Sequence, residues 1–158
     1  MKLRIFTDGA CSDNPGPGGW GVVFCMADSY KTYSGYELET TNNRMELRAV
    51  IEALKAVDEQ KYELDADGYD QLELYSDSAY VINAINNNWI KNWRANGWQT
   101  KRGDDVKNVD LWKDVDRLLS SLTVRFVKIK GHAGNTFNEL VDKLAKDESV
   151  KARALLGK

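Results

Sequence analysis

The apolar residues of this chain change period at Thr41, from alternation to helical spacing, and no other feature restricts the possible folds as much. Before that point, residues 2–8 set Leu3, Ile5 and Thr7 against Arg4 and Phe6, and residues 20–26 and 30–38 are rich in aromatic and β-branched side chains. Each reads as a strand. Asn14-Pro-Gly-Pro-Gly-Gly19 is a strong turn signal, and such short connections predict an antiparallel meander. Beyond it, Leu47, Val50, Ile51, Leu54 and Val57 recur on one helical face, with Thr41 or Asn42 placed to cap the helix.

The second half alternates element types. Residues 71–76 read as a strand, 78–85 as a short helix, 109–119 as an amphipathic helix, 123–129 as a strand, and 136–148 as a helix through Phe137, Leu140, Val141 and Leu144. Strands separated by helices pair in parallel through crossovers. The prediction is an α/β fold: a five-stranded mixed sheet, antiparallel meander plus parallel strands, flanked by helices. A length of 158 residues suits one core, so one domain is expected over 1–150, with a short C-terminal tail at 151–158. Residues 58–70, with Glu59, Glu63, Asp65 and Asp67 between the terminal aspartates, read as a solvated acidic loop.

No stretch approaches the roughly 20 apolar residues of a membrane span, and Asp8 interrupts the run a signal peptide would need. A soluble, cytoplasmic protein is expected. Two cysteines, Cys11 and Cys25, are too few for a disulfide framework or a thiolate metal site. The net charge of −2 argues against general nucleic-acid binding, but it averages unlike regions. Residues 1–90 carry 7 basic and 15 acidic side chains, whereas 91–130 carry 10 and 5. A local basic surface keeps a polyanionic substrate possible.

Four carboxylates stand where folding alone gives little reason for them. Asp8 and Asp77 end apolar strand runs, and ligands of open α/β sheets bind beyond the carboxyl ends of parallel strands. Glu46 lies close to the buried helix face, and Asp142 stands beside Val141, one turn before Lys146. Singly, they also read as turn residues, an acid in a helix's first turn, and a solvated helix residue. Together they could form an all-oxygen site, which suits Mg²⁺ or Mn²⁺ rather than zinc. The basic stretch 89–107 interleaves Trp89, Trp93 and Trp98 with Lys91, Arg94, Lys101, Arg102 and Lys107. Trp89 and Trp93 share a helix face, and core packing and nucleic-acid contact both remain open for them. Trp112 reads as core.

Five motifs make the pattern specific. Thr7-Asp8-Gly9-Ala10-Cys11, Asn14-Pro-Gly-Pro-Gly-Gly-Trp-Gly21, Thr41-Asn-Asn-Arg-Met-Glu-Leu47, Tyr75-Ser-Asp-Ser78 and Lys130-Gly-His-Ala-Gly134, followed by Asn138-Glu139 and Asp142, closely resemble type 1 ribonuclease H. They run in that family's order over nearly the whole chain. The resemblance implies a ribonuclease H-like fold and an endonuclease that hydrolyses the RNA strand of an RNA/DNA hybrid. Asp8, Glu46, Asp77 and Asp142 would be its catalytic carboxylates, holding two Mg²⁺ ions, with 5′-phosphate and 3′-hydroxyl products. His132, otherwise an incidental surface imidazole, becomes the assisting histidine.

The resemblance further makes 89–107 a basic handle that grips the DNA strand, through Trp89, Trp93, Lys91 and Arg94. It places Asn14, Asn42 and Glu46 near the minor groove, where the 2′-hydroxyls of RNA are displayed. Thr41 and Asn108 would form a pocket for a DNA phosphate. A basic residue often stands two positions before that threonine; here it is Glu39. The chain is read as acting as a monomer, without a separate hybrid-binding domain before Met1. Rival readings are an integrase or junction-resolving nuclease of the same superfamily, and a non-catalytic hybrid-binding module.

Overall fold

A computed structural model describes residues 1–130 and 136–157. One sheet holds β1 (Lys2–Cys11), β2 (Gly16–Cys25), β3 (Tyr30–Thr40), β4 (Gln71–Ser76) and β5 (Arg125–Lys128), in the order β3-β2-β1-β4-β5. β1 pairs antiparallel with β2, and β2 with β3. β4 runs parallel to both β1 and β5. This is the expected meander with two parallel strands added on the far side of β1. The helices are α1 (Asn42–Glu59), α2 (Lys61–Ala66), α3 (Ala79–Asn86), α4 (Trp89–Ala95), α5 (Val109–Leu119) and α6 (Thr136–Leu155).

Alternation along the strands feeds two cores. Leu3 and Ile5 of β1, with Val22 and Phe24 of β2, meet the buried stripe Leu47, Val50, Ile51, Leu54 and Val57 of α1. Burial of each such aliphatic side chain contributes roughly 1.5–3 kcal/mol. Phe6 and Val23, one residue out of phase, meet Val141 of α6. α6 comes close because β2 has glycines there. A Cβ at Gly19 would stand 2.6 Å from the backbone nitrogen of Ser149, and one at Gly21 2.9 Å from the Val141 carbonyl oxygen. The Ser149 hydroxyl donates to the Pro17 carbonyl at 3.2 Å and lies 2.7 Å from the Ser12 hydroxyl.

Several boundaries differ from the sequence expectation. β1 continues past Asp8 to Cys11, because the antiparallel ladder with β2 carries on to the Cys11–Gly18 pair. Asp8 therefore lies within a strand and does not end it. The acidic stretch 58–70 is not a loop: α1 runs to Glu59 and α2 follows. Leu64 and Tyr69 are buried in the main core, and the Tyr69 hydroxyl accepts the Ala27 N–H at 2.8 Å. α6 also reaches Leu155, so residues 151–155 are helix rather than tail, with Ala152 wholly buried. Both cysteines are free thiols. Among the described residues no helix is long and apolar enough to cross a membrane.

Candidate active site

Two neighbouring strands and one helix bring three carboxylates together. The parallel register that pairs Phe6 with Tyr75 makes Asp8 level with Asp77, which directly follows β4. Glu46, in the second turn of α1, reaches them because α1 lies against β1 at Gly9. A Cβ at Gly9 would sit 2.5 Å from the carbonyl carbon of Met45. The Gly9 N–H donates to Asp8 Oδ1 at 2.9 Å and to Glu46 Oε1 at 2.6 Å. One carboxylate oxygen from each of Asp8, Glu46 and Asp77 lies within 4.8 Å of the others. Asp142 stands beside this group on α6, with its carboxylate 3.0 Å from the Lys146 ammonium.

The electrostatics of the group are those of negative charge held without enough positive charge. Burial pushes Asp8 up to about 7, with Asp77 and Asp142 adding to the shift. Burial also holds Glu46 well above the usual carboxylate range, and the charge of Asp8 acts in the same sense. Glu46 Oε2 is buried with no hydrogen-bond partner. A buried oxygen in that position costs stability unless something electropositive meets it. Hard, all-oxygen donors of this kind fit a divalent cation such as Mg²⁺ or Mn²⁺. His132 lies outside the described residues.

The expected substrate-contacting residues fall into three places. Asn14 Oδ1 accepts the backbone N–H of Asn42 at 3.0 Å, tying the β1–β2 turn to the start of α1. Thr41 caps α1 by accepting the Arg44 N–H at 3.2 Å, and Asn108 accepts from the Arg44 guanidinium at 3.3 Å, so one residue joins the two members of the expected phosphate pocket. In the 89–107 stretch the tryptophans divide between core and surface. Trp93 packs on Trp112 with ring centroids 5.4 Å apart, and Trp112 is wholly buried. Trp89 leans on Trp93 but stays 39 % exposed. Trp89, Asn92, Trp93, Asn96 and Lys101 line a cleft of about 550 Å³. Lys91 is exposed, whereas Arg94 pairs with Asp116 at 3.3 Å.

Gly9, Arg44 and Tyr80, whose hydroxyl accepts from Asn108 Nδ2 at 3.1 Å, hold the expected site residues in place and were not singled out from the sequence. Gly9 and Arg44 lie inside motifs that were noticed for their carboxylates. Tyr80 sits at the expected periodicity of a core residue, and nothing in the sequence marks its hydroxyl.

The mixed sheet and its acidic cluster define an α/β domain of the ribonuclease H-like class. Comparison with known proteins agrees. The family model for RNase H matches residues 1–150. A ribonuclease H of Acetivibrio thermocellus is 47 % identical over 150 residues, which cover 95 % of this chain and 96 % of that one. Among solved structures, LC9-RNase H1, a type 1 RNase H with the type 2 active-site motif, superimposes with a TM-score of 0.78 at 28 % identity, covering 96 % of this chain and 73 % of the other. LC11-RNase H1, solved in complex with an RNA/DNA hybrid, gives 0.70 at 25 % identity over 95 % and 98 %. This chain belongs to the ribonuclease H family of endonucleases.

Proposed function

We propose that the chain hydrolyses the RNA strand of RNA/DNA hybrids, with Asp8, Glu46, Asp77 and Asp142 holding two Mg²⁺ ions, for which Mn²⁺ can substitute. The products are 5′-phosphate and 3′-hydroxyl ends. The observation that carries this reading is the convergence of Asp8, Glu46 and Asp77 within 4.8 Å in a chain of this family. The solved complex of LC11-RNase H1 with a hybrid supports the choice of substrate.

Divalent cations bound there supply positive charge to the phosphate in its transition state and activate the attacking water. The protein's share is positioning. The Gly9 N–H holds one oxygen each of Asp8 and Glu46, so these ligands are in place before anything binds. Lys146 fixes Asp142 from the solvent side. His132 serves in a supporting role, moving protons or helping product leave.

Asn14, Asn42 and Glu46 face the minor groove and distinguish ribose from deoxyribose by its 2′-hydroxyls. Thr41 and Asn108 receive a phosphate of the DNA strand. The exposed Trp89, with Lys91 and Arg94, grips the same strand beyond it, while Trp93 supports Trp89 from the core side. The protein acts as a monomer in the cytoplasm, as one catalytic domain.

The test is incubation with labelled RNA/DNA, RNA/RNA and DNA/DNA duplexes, with and without Mg²⁺. Cleavage of the hybrid alone, dependent on the ion, is expected. Asp8→Asn and Asp77→Asn should abolish it without loss of fold, and His132→Ala should slow it. Full activity in Asp77→Asn would overturn the metal-site assignment. Cutting of a four-way DNA junction with hybrid left intact would move the chain to the resolvase type.

A further inference from the structure

Arg44 touches both members of the proposed phosphate pocket, and in both cases it takes the acceptor. Its backbone N–H donates to Thr41 Oγ1 at 3.2 Å, and its Nη1 donates to Asn108 Oδ1 at 3.3 Å. A guanidinium has five N–H donors and no acceptor. An asparagine amide flipped the other way would set its NH₂ against those N–H groups, so Oδ1 must face Arg44. Asn108 Nδ2 then donates to the Tyr80 hydroxyl at 3.1 Å. One of its two hydrogens is used there and the other is left to point elsewhere.

Asn108 heads α5 with φ of 59°, yet its side chain makes no capping hydrogen bond to that helix. Asparagine is among the best capping residues. Here its side chain is committed instead to Arg44 and Tyr80. The guanidinium is itself held by Asp110, at 3.0 Å from Nη1 and 2.7 Å from Nη2, a bidentate arrangement that fixes its plane. The Tyr80 hydroxyl is pinned from the other side by the indole N–H of Trp112 at 3.0 Å.

We infer that the Arg44 side chain is a positioning group that makes this pocket anion-selective: its guanidinium occupies the acceptor end of Asn108, as the backbone N–H at position 44 occupies that of Thr41, and their N–H and O–H are left for a phosphate. Hydroxyl and amide groups are otherwise ambivalent, equally able to face a donor. With the acidic Glu39 where a basic residue would add charge, selectivity rests on this ordering of donors. Arg44 contributes through its neighbours, since Asp110 already balances its charge.

The inference rests on Thr41 and Asn108 receiving a phosphate of the DNA strand, and the experiment separates the two. Hybrids carry a single neutral methylphosphonate, moved along the DNA strand one linkage at a time. Binding is measured with chelator present and KM and kcat with Mg²⁺, for the wild type, Arg44→Met and Arg44→Lys. In the wild type one linkage is expected to weaken binding roughly ten-fold, the scale of one charge-assisted hydrogen bond. Arg44→Met, which leaves the backbone N–H on Thr41 in place, should weaken binding of the unmodified hybrid several-fold, through KM with kcat little changed, and reduce the penalty at that linkage alone. Arg44→Lys, which keeps a pure donor, should regain most of both.

If Arg44→Met binds more weakly but keeps the full methylphosphonate penalty, Arg44 is merely structural and the inference fails. If the wild type cleaves hybrid and no linkage matters, the pocket itself is absent, and the reading beneath the inference fails with it.

Discussion

Gly9 places the acid cluster by what it lacks. Its missing side chain lets α1 approach β1, and its N–H then holds Asp8 and Glu46 together. Gly9→Ala must push Met45 and Glu46 away by a good part of an ångström, and misplacement on that scale can cost about a hundred-fold in rate. The expected result is a folded protein with roughly a hundred-fold lower kcat on hybrid, checked by steady-state kinetics beside far-UV circular dichroism. An unchanged kcat would show that the close approach is not needed. Glu39 offers the opposite experiment. It is exposed near the end of β3, directly before Thr40 and the Thr41 cap. Glu39→Arg should tighten hybrid binding several-fold at low salt, through KM rather than kcat, because it replaces repulsion of a phosphate by attraction.

At the scale of elements, much was legible because periodicity reports directly on what each face must bury. The alternating runs and the stripe of α1 located the sheet and its main core. Two kinds of feature were not legible. Helix α2 has only Leu64 as a buried anchor, too little apolar signal among acidic residues to stand out from a loop. The docking of α6 depends on close backbone approach, which no hydrophobic pattern encodes. The glycines of 14–19 read as turn residues, but Gly19 lies in a strand and, together with Gly21, acts by admitting α6, and with it Asp142. Gly19→Ala is therefore expected to destabilise the fold by about 1–3 kcal/mol, the usual cost of forcing extra atoms into a packed interface, read from urea unfolding. Convergence in space was likewise invisible. The sequence offered four carboxylates, and only the parallel register of β1 with β4 shows why Asp8 and Asp77 meet.

The whole molecule carries a charge of −2, yet the proposed substrate is a polyanion. The fold resolves this by separating the signs. The acid cluster gathers Asp8 within β1, Asp77 just after β4 and Glu46 of α1 in a largely enclosed place where cations can neutralise it, and the exposed Lys91 and Lys101 lie in the basic segment, the latter on the cleft beside Trp89. If handle cations contact phosphates, binding must weaken as salt rises, with a slope set by the number of contacts. Each lysine that touches a phosphate should add about one unit to the log–log slope, so Lys91→Gln and Lys101→Gln should each lower it by about one unit. Arg94→Gln should lower it less than either, because Arg94 is already paired with Asp116. Anisotropy titrations over a salt series, with chelator present to prevent cleavage, would measure all three. Equal loss from all three variants would mean that the Arg94–Asp116 pair opens on binding. No loss from the lysines would place the grip on the DNA strand somewhere other than the handle, and leave the basic segment without its proposed role.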